Sequence, residues 1–169
     1  NISGSDWIEL PANKYSVRSN TANNVIRTSR CSVEVDIVYT SMIIHPCEGE
    51  YSRIAPLRTL SFDIECQGRK GHFPEAHIDP VIQIANTITL QGSDVPIIRT
   101  VFTLDTCLPI VGAQVLSYTT EAEMLMAWKS FVLATDPDIL TGYNIGNFDI
   151  PYLLNRAKSL EKQHSILKT

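Results

Sequence analysis

Leu57-Arg58-Thr59-Leu60-Ser61-Phe62-Asp63-Ile64-Glu65-Cys66 is a short apolar run that ends in two carboxylates one residue apart. Side chains alternate across a strand, so Asp63 and Glu65 share one face while Phe62 and Ile64 point the opposite way, into a core. Acidic residues are disfavoured in strands, and a pair of them behind a buried run asks for a reason. A second acidic stretch, Gly142-Tyr143-Asn144-Ile145-Gly146-Asn147-Phe148-Asp149, follows the apolar pair Ile139-Leu140. If both runs are strands of one sheet, Asp63, Glu65 and Asp149 meet at its edge. Clustered carboxylates repel unless cations or protons neutralise them. Hard oxygen donors suit Mg²⁺ or Mn²⁺, and two such ions can drive phosphoryl transfer. The pattern predicts a metal-dependent nuclease.

Working outward, residues 81–90 and 97–104 are two more β-branched runs, with Gly92-Ser93-Asp94 as a hairpin turn between them. Residues 67–80 hold Gly68, Gly71, Pro74 and Pro80 and read as a loop. Thr120-Glu121-Ala122-Glu123 forms a capping box ahead of Met124, Leu125, Trp128, Phe131 and Val132 at helical spacing. Asp136-Pro137 stops that helix, and Pro151 suits the first turn of a last one. The predicted order is strand, strand, strand, helix, strand, helix. A fourth strand parallel to the first, reached by a right-handed crossover, brings their C-terminal ends together, where open α/β sheets place their sites.

The first 56 residues read differently. Trp7-Ile8-Glu9-Leu10 precedes Pro11, residues 16–29 are a polar loop, and residues 31–39 alternate as a half-buried strand: Val33, Val35, Ile37 and Tyr39 oppose Ser32, Glu34 and Asp36. This is a small β-rich segment ahead of the main domain.

The 169 residues allow one domain with a real core and a piece of a second. A net charge of −4 shows no broad basic surface, so a grip on DNA would come from metal ions and neighbouring domains. No stretch is apolar enough for a membrane span, and the sequence does not open on a basic-then-apolar leader, so secretion is not expected. The opening at Asn1 rather than Met leads to the expectation of a fragment. Cys31, Cys47, Cys66 and Cys107 form no Cys-x-x-Cys pair, which favours reduced thiols in an intracellular compartment.

Each candidate also has a structural reading. Asp149 stands where Asp caps helices, Asn144 serves as a turn residue, and Phe148 as core. Arg69 and Lys70 read as a solvated pair, His72 and His77 as surface histidines, Cys66 as a small buried residue and Trp128 as core.

The motifs carry a resemblance. Ser61-Phe62-Asp63-Ile64-Glu65-Cys66 resembles the first exonuclease motif of family B DNA polymerases. Asn144-Ile145-Gly146-Asn147-Phe148-Asp149 resembles the second. Arg53-Ile54-Ala55-Pro56-Leu57-Arg58, Gly68-Arg69-Lys70-Gly71 and Asp79-Pro80-Val81-Ile82-Gln83-Ile84 are similar to the delta-type, eukaryotic replicative branch, as are Trp7-Ile8-Glu9-Leu10-Pro11 and Asp136-Pro137-Asp138.

The resemblance implies an α/β, RNase H-like mixed sheet with flanking helices, a DEDD-type exonuclease truncated at its C-terminus. Residues 1–56 then end a polymerase N-terminal domain, and residues 57–169 form part of a 3′→5′ proofreading exonuclease domain. It also implies a nuclear protein whose partners are DNA with a single-stranded or frayed 3′ end, the rest of the polymerase chain, accessory polymerase subunits and a sliding clamp. By position, Asp63 bridges two metals and Glu65 holds the tighter one and meets the 3′ end. Asp149 supports the second metal, partly through water, while Asn144 and Phe148 position the last nucleotides. The third motif, a Tyr followed by a further Asp, is expected beyond Thr169, so this stretch alone should bind Mg²⁺ or Mn²⁺ weakly and cut little. Two alternatives stay open: a non-catalytic exonuclease-like scaffold binding DNA or a partner, and the same domain of a viral or archaeal enzyme.

Overall fold

The structure, a computed structural model, describes residues 2–18, 27–29, 31 and 33–166, with side chains described to residue 161. The chain divides into two compact units, Asn1–Ala55 and Pro56–Thr169. In the first, β1 (Trp7–Glu9) pairs antiparallel with β4 (Ile43–His45), and β2 (Tyr15–Val17) with β3 (Val35–Ile37). The strand expected over residues 31–39 is shorter than its alternation suggests. Val33 is exposed, Tyr39 begins a 3₁₀ turn, and Ser32 lies outside the described residues, as does most of the polar loop. β3 pairs with the three residues of β2, and just beyond them the Arg18 N–H donates to the Glu34 carbonyl at 2.8 Å.

The second unit is a five-stranded mixed sheet in the order β8-β7-β6-β5-β9, with two helices. Its elements are β5 (Arg58–Cys66), β6 (Val81–Leu90), β7 (Ile98–Leu104), β8 (Gln114–Tyr118), α1 (Glu121–Thr135), β9 (Ile139–Thr141) and α2 (Asp149–Ile166). The β5-β6-β7 meander is antiparallel, and β9 pairs parallel to β5 through Thr59, Leu60 and Ser61. The expected order lacked β8, which pairs parallel to β7. Gln114-Val115-Leu116-Ser117-Tyr118 does not alternate cleanly, because adjacent Val115 and Leu116 are both half-buried on opposite faces.

The core lies on the face of β5 that bears Leu60, Phe62 and Ile64, joined by Ile84, Ile88, Phe102, Met124, Tyr152 and Leu153. Phe62 meets Trp128 at 5.2 Å between ring centroids, and Phe102 meets Phe131 at 5.4 Å. Trp128 is core, as expected, and its Nε1–H donates to the Oδ1 of buried Asn86 at 2.8 Å, which satisfies both groups. Thr120 caps α1 by accepting from the Glu123 N–H at 3.3 Å. At the other end, Asp136 takes a left-handed φ of 44° and its N–H closes on the Val132 carbonyl, which ends the helix before Pro137. Among the described residues, no helix is long and apolar enough to cross a membrane.

Candidate active site

The acidic pair lies within β5 rather than at its tip, and β5 is an inner strand. It has an open edge nonetheless. β9 pairs only as far as Ser61, so among the described residues β5 from Phe62 onward has no strand on that side. Two features fill the gap. At Gly142 the chain passes so close to β5 that a Cβ would run into the Phe62 carbonyl oxygen and Ile145 Cγ2. Glycine is the residue that permits such an approach. Beyond it, the Ile64 N–H donates to Asp149 Oδ1 at 3.1 Å, so a carboxylate stands in for the missing strand partner.

Asp149 reaches that point because the turn before α2 is tightly bent. Asn144 has φ 55°, and its carbonyl accepts from the N–H groups of Asn147 at 3.1 Å and Phe148 at 3.0 Å. Asn144 Oδ1 also accepts from Asn147 Nδ2 at 2.9 Å. The left-handed conformation, which Asn tolerates, aims α2 so that its first residue meets β5.

Asp149 is 1 % exposed. Burial is the main influence on its carboxyl and raises it above the ordinary carboxylate range; the hydrogen bond from Ile64 opposes this and the charge of Asp63 adds to it. Its place at the start of α2 favours negative charge through the helix dipole. Asp63 and Glu65 are exposed on the opposite face of β5 from Phe62 and Ile64. Asp63 and Asp149 are thus in electrostatic reach of each other, and Glu65 shares the strand face of Asp63. The three are not gathered into a finished ligand set: among the described residues, no group of three or more His, Cys, Asp or Glu side chains is arranged to hold a metal.

Phe148 is half-buried and touches Tyr152 and Phe73, each at 5.4 Å between ring centroids. Phe73 is 74 % exposed, and sequence reading passed over it. It sits on the 67–80 loop, which three side chains of α2 clasp: Tyr152 Oη–H donates to the Asp79 carbonyl at 2.8 Å, Arg156 to the Ala76 carbonyl at 3.3 Å, and Ser159 to the His77 carbonyl at 3.4 Å. Arg69 is held within the same loop, by Glu75 at 2.6 Å and buried Asp79 at 3.1 Å, so its charge is spent on the loop itself. The Pro-Glu-Ala-His run gave no hint of these contacts, since each acceptor is a backbone carbonyl. Cys66 is a half-buried thiol pushed up to about 11, mainly by burial, and all four cysteines are free.

A strand bearing two exposed carboxylates, an open strand edge and an aspartate delivered by a helix start define a nuclease-like α/β domain, and the comparisons specify it. Residues 1–168 match the family described as DNA polymerase family B, exonuclease domain. The chain belongs to that family. It is 56 % identical over 160 residues to the DNA polymerase delta catalytic subunit of Drosophila melanogaster, covering 95 % of this chain and 15 % of that protein. The subunits of Arabidopsis thaliana and Candida albicans are each 54 % identical over 159 residues, covering 94 % of this chain and 14 % and 15 % of theirs. The chain therefore spans about one-seventh of the length of the relatives it matches.

Proposed function

We propose that this chain contributes the 3′→5′ proofreading exonuclease of a replicative family B DNA polymerase, removing mismatched 3′-terminal nucleotides in the nucleus. The observation that carries the reading is the delivery of buried Asp149 to the open edge of β5 beside Asp63. No described ion pair neutralises Asp63, Glu65 or Asp149, and none of the three is held by other side chains in a way that would keep it from a ligand. An all-oxygen, unneutralised donor set fits hard divalent cations, Mg²⁺ or Mn²⁺. When bound, such ions supply the positive charge that an attacking water and a leaving 3′ oxygen require.

The chain's own residues do the rest. Asp63 and Glu65 offer exposed oxygens from β5, and Asp149 adds a buried carboxylate beside Asp63 while its Oδ1 stays on Ile64. The exposed ring of Phe73, backed by Phe148, offers a stacking surface to an unpaired base, and base–aromatic stacking is worth about 1–3 kcal/mol per base. A frayed end therefore enters more easily than a paired one. In this reading the five-stranded sheet is the RNase H-like half of the exonuclease domain, residues 1–56 end the polymerase's N-terminal domain, and accessory subunits and a sliding clamp act on the whole protein. Retention of all three carboxylates favours this over a non-catalytic scaffold.

The test is release of 3′ nucleotides by the intact protein from matched, mismatched and single-stranded ends in Mg²⁺. Faster release from mismatched ends, lost in Asp63→Ala, is expected. Release that is indifferent to Asp63 refutes the assignment.

A further inference from the structure

We propose that the sheet face opposite the core is a track for a single-stranded nucleic-acid backbone, with Arg99 gripping a phosphate several nucleotides back from the carboxylates. The inference rests on the nuclease reading of Asp63. An open cleft of about 510 Å³ runs over this face and includes both Asp63 and Arg99 in its lining. The register explains how. Ser61 pairs with Thr87 and Thr87 with Arg99, while Asp63 pairs with Ala85 and Ala85 with Val101. Residues paired directly across strands share a face, so these two rungs lie side by side on the face of the acidic pair.

The floor between the two charges is low. Exposed Ala85 has nothing beyond its Cβ, and Ser61 and Thr87 add hydroxyls that can donate to phosphate oxygens. Arg99 is exposed and, among the described residues, makes no ion pair. Its guanidinium lies beside the tip of the 105–113 loop: a Cβ added to Gly112 would sit 3.8 Å from Arg99 Nη1. The loop thus confines a cation that has no carboxylate of its own, at the far end of a cleft that starts at the cutting site. Guanidinium is the side chain best shaped for phosphate.

The spacing sets the register on the ligand. Two strand intervals of about 4.8 Å and two residues of about 3.4 Å separate Asp63 from Arg99, roughly 12 Å in all. At about 3.4 Å per stacked nucleotide that is three to four nucleotides, and fewer in an extended strand. A dinucleotide engaged at Asp63 ends before Arg99, whereas an octanucleotide passes it.

The experiment compares the intact wild-type protein with Arg99→Ala and Arg99→Lys on single strands from dinucleotide to octanucleotide, measuring kcat and KM for 3′-nucleotide release and the salt dependence of KM. Arg99→Ala should raise KM about tenfold on the octanucleotide, with kcat unchanged, and leave the dinucleotide unaffected. Its log–log salt slope should fall by about 0.7, the value for one phosphate contact on a single strand, and Arg99→Lys should restore that slope. A penalty that is absent, or equal for dinucleotide and octanucleotide, while the wild type cuts overturns the track and leaves the carboxylate site standing. A wild type that neither binds nor cuts single strands overturns both.

Discussion

Asp149 has a structural role and a proposed chemical one, and two substitutions separate them. Its Oδ1 accepts the Ile64 N–H in a buried setting, and its charge lies beside that of Asp63. Asp149→Ala removes the acceptor and orphans a buried N–H, which costs about 1–3 kcal/mol. For a chain of this size each kcal/mol moves Tm by roughly 2–4 °C, so the alanine variant should melt about 2–12 °C lower. Asp149→Asn keeps an oxygen for Ile64 and removes only the charge. Because folding raises this carboxyl above its unfolded value, ionisation disfavours the folded state. The stability the neutral form contributes is fully present below the unfolded value near pH ~3.9 and is lost as pH rises through the folded one.

In chelator at neutral pH the asparagine variant should therefore melt at or above the wild type. The advantage should vanish on acidification, when the wild-type carboxyl is protonated as well. Divalent cation reverses the order. A metal at a hundred times its Kd stabilises the wild type by about 2.7 kcal/mol and should pass over the asparagine variant. Thermal melts followed by circular dichroism, with chelator and with Mn²⁺ across the acid range, read all three effects. If the asparagine variant falls with the alanine one in chelator, the charge of Asp149 is holding the fold together and the division of roles is refuted.

Glu121 and Arg156 form a buried pair at 2.7 Å that also takes the Val81 N–H at 2.8 Å, so Arg156→Ala should cost about 3–5 kcal/mol by urea unfolding and loosen the 67–80 loop to proteolysis. Replacing both partners with apolar residues of similar volume should cost much less than either single change. Gly142→Ala puts a methyl group into the Phe62 carbonyl and should lose about 1–3 kcal/mol or more, together with nuclease activity, because the turn carrying Asp149 must back away from β5. A variant of wild-type stability with intact activity would show that the approach at Gly142 is not needed.

The fold was legible where periodicity was strong and local. The alternation of β5, the spacing of Met124, Trp128 and Phe131, and the Thr120 cap all appear where the pattern put them, because each is decided by near neighbours. β8 escaped, since its place is settled by a parallel partner already buried on its other side, and its own residues say little. The acidic motifs were visible as residue types at a spacing. Their surroundings were not: Phe73 against Phe148, and the carbonyls of Ala76, His77 and Asp79 held by α2, depend on long-range docking of a loop whose composition announces only that it is a loop. Arg69, read as half of a solvated pair, is indeed exposed, but its charge is directed inward to Glu75 and Asp79 of its own loop.

The shortness of β9 ties the two acidic motifs together physically. A full-length β9 would run on past Ser61, satisfy Phe62 and Ile64 by ordinary ladder bonds, and leave Asp149 with no reason to approach. With three residues, it stops early and leaves a buried N–H on β5 that must find an acceptor. The turn from Gly142 to Phe148 supplies one, and it can do so only by bringing the first residue of α2 to the strand that bears Asp63. The hydrogen bond at Ile64 is therefore what forces a second carboxylate into the neighbourhood of the first, against their mutual repulsion. The dipole at the start of α2 offsets part of that repulsion, and a proton or, in the proposed function, a shared cation would offset the rest.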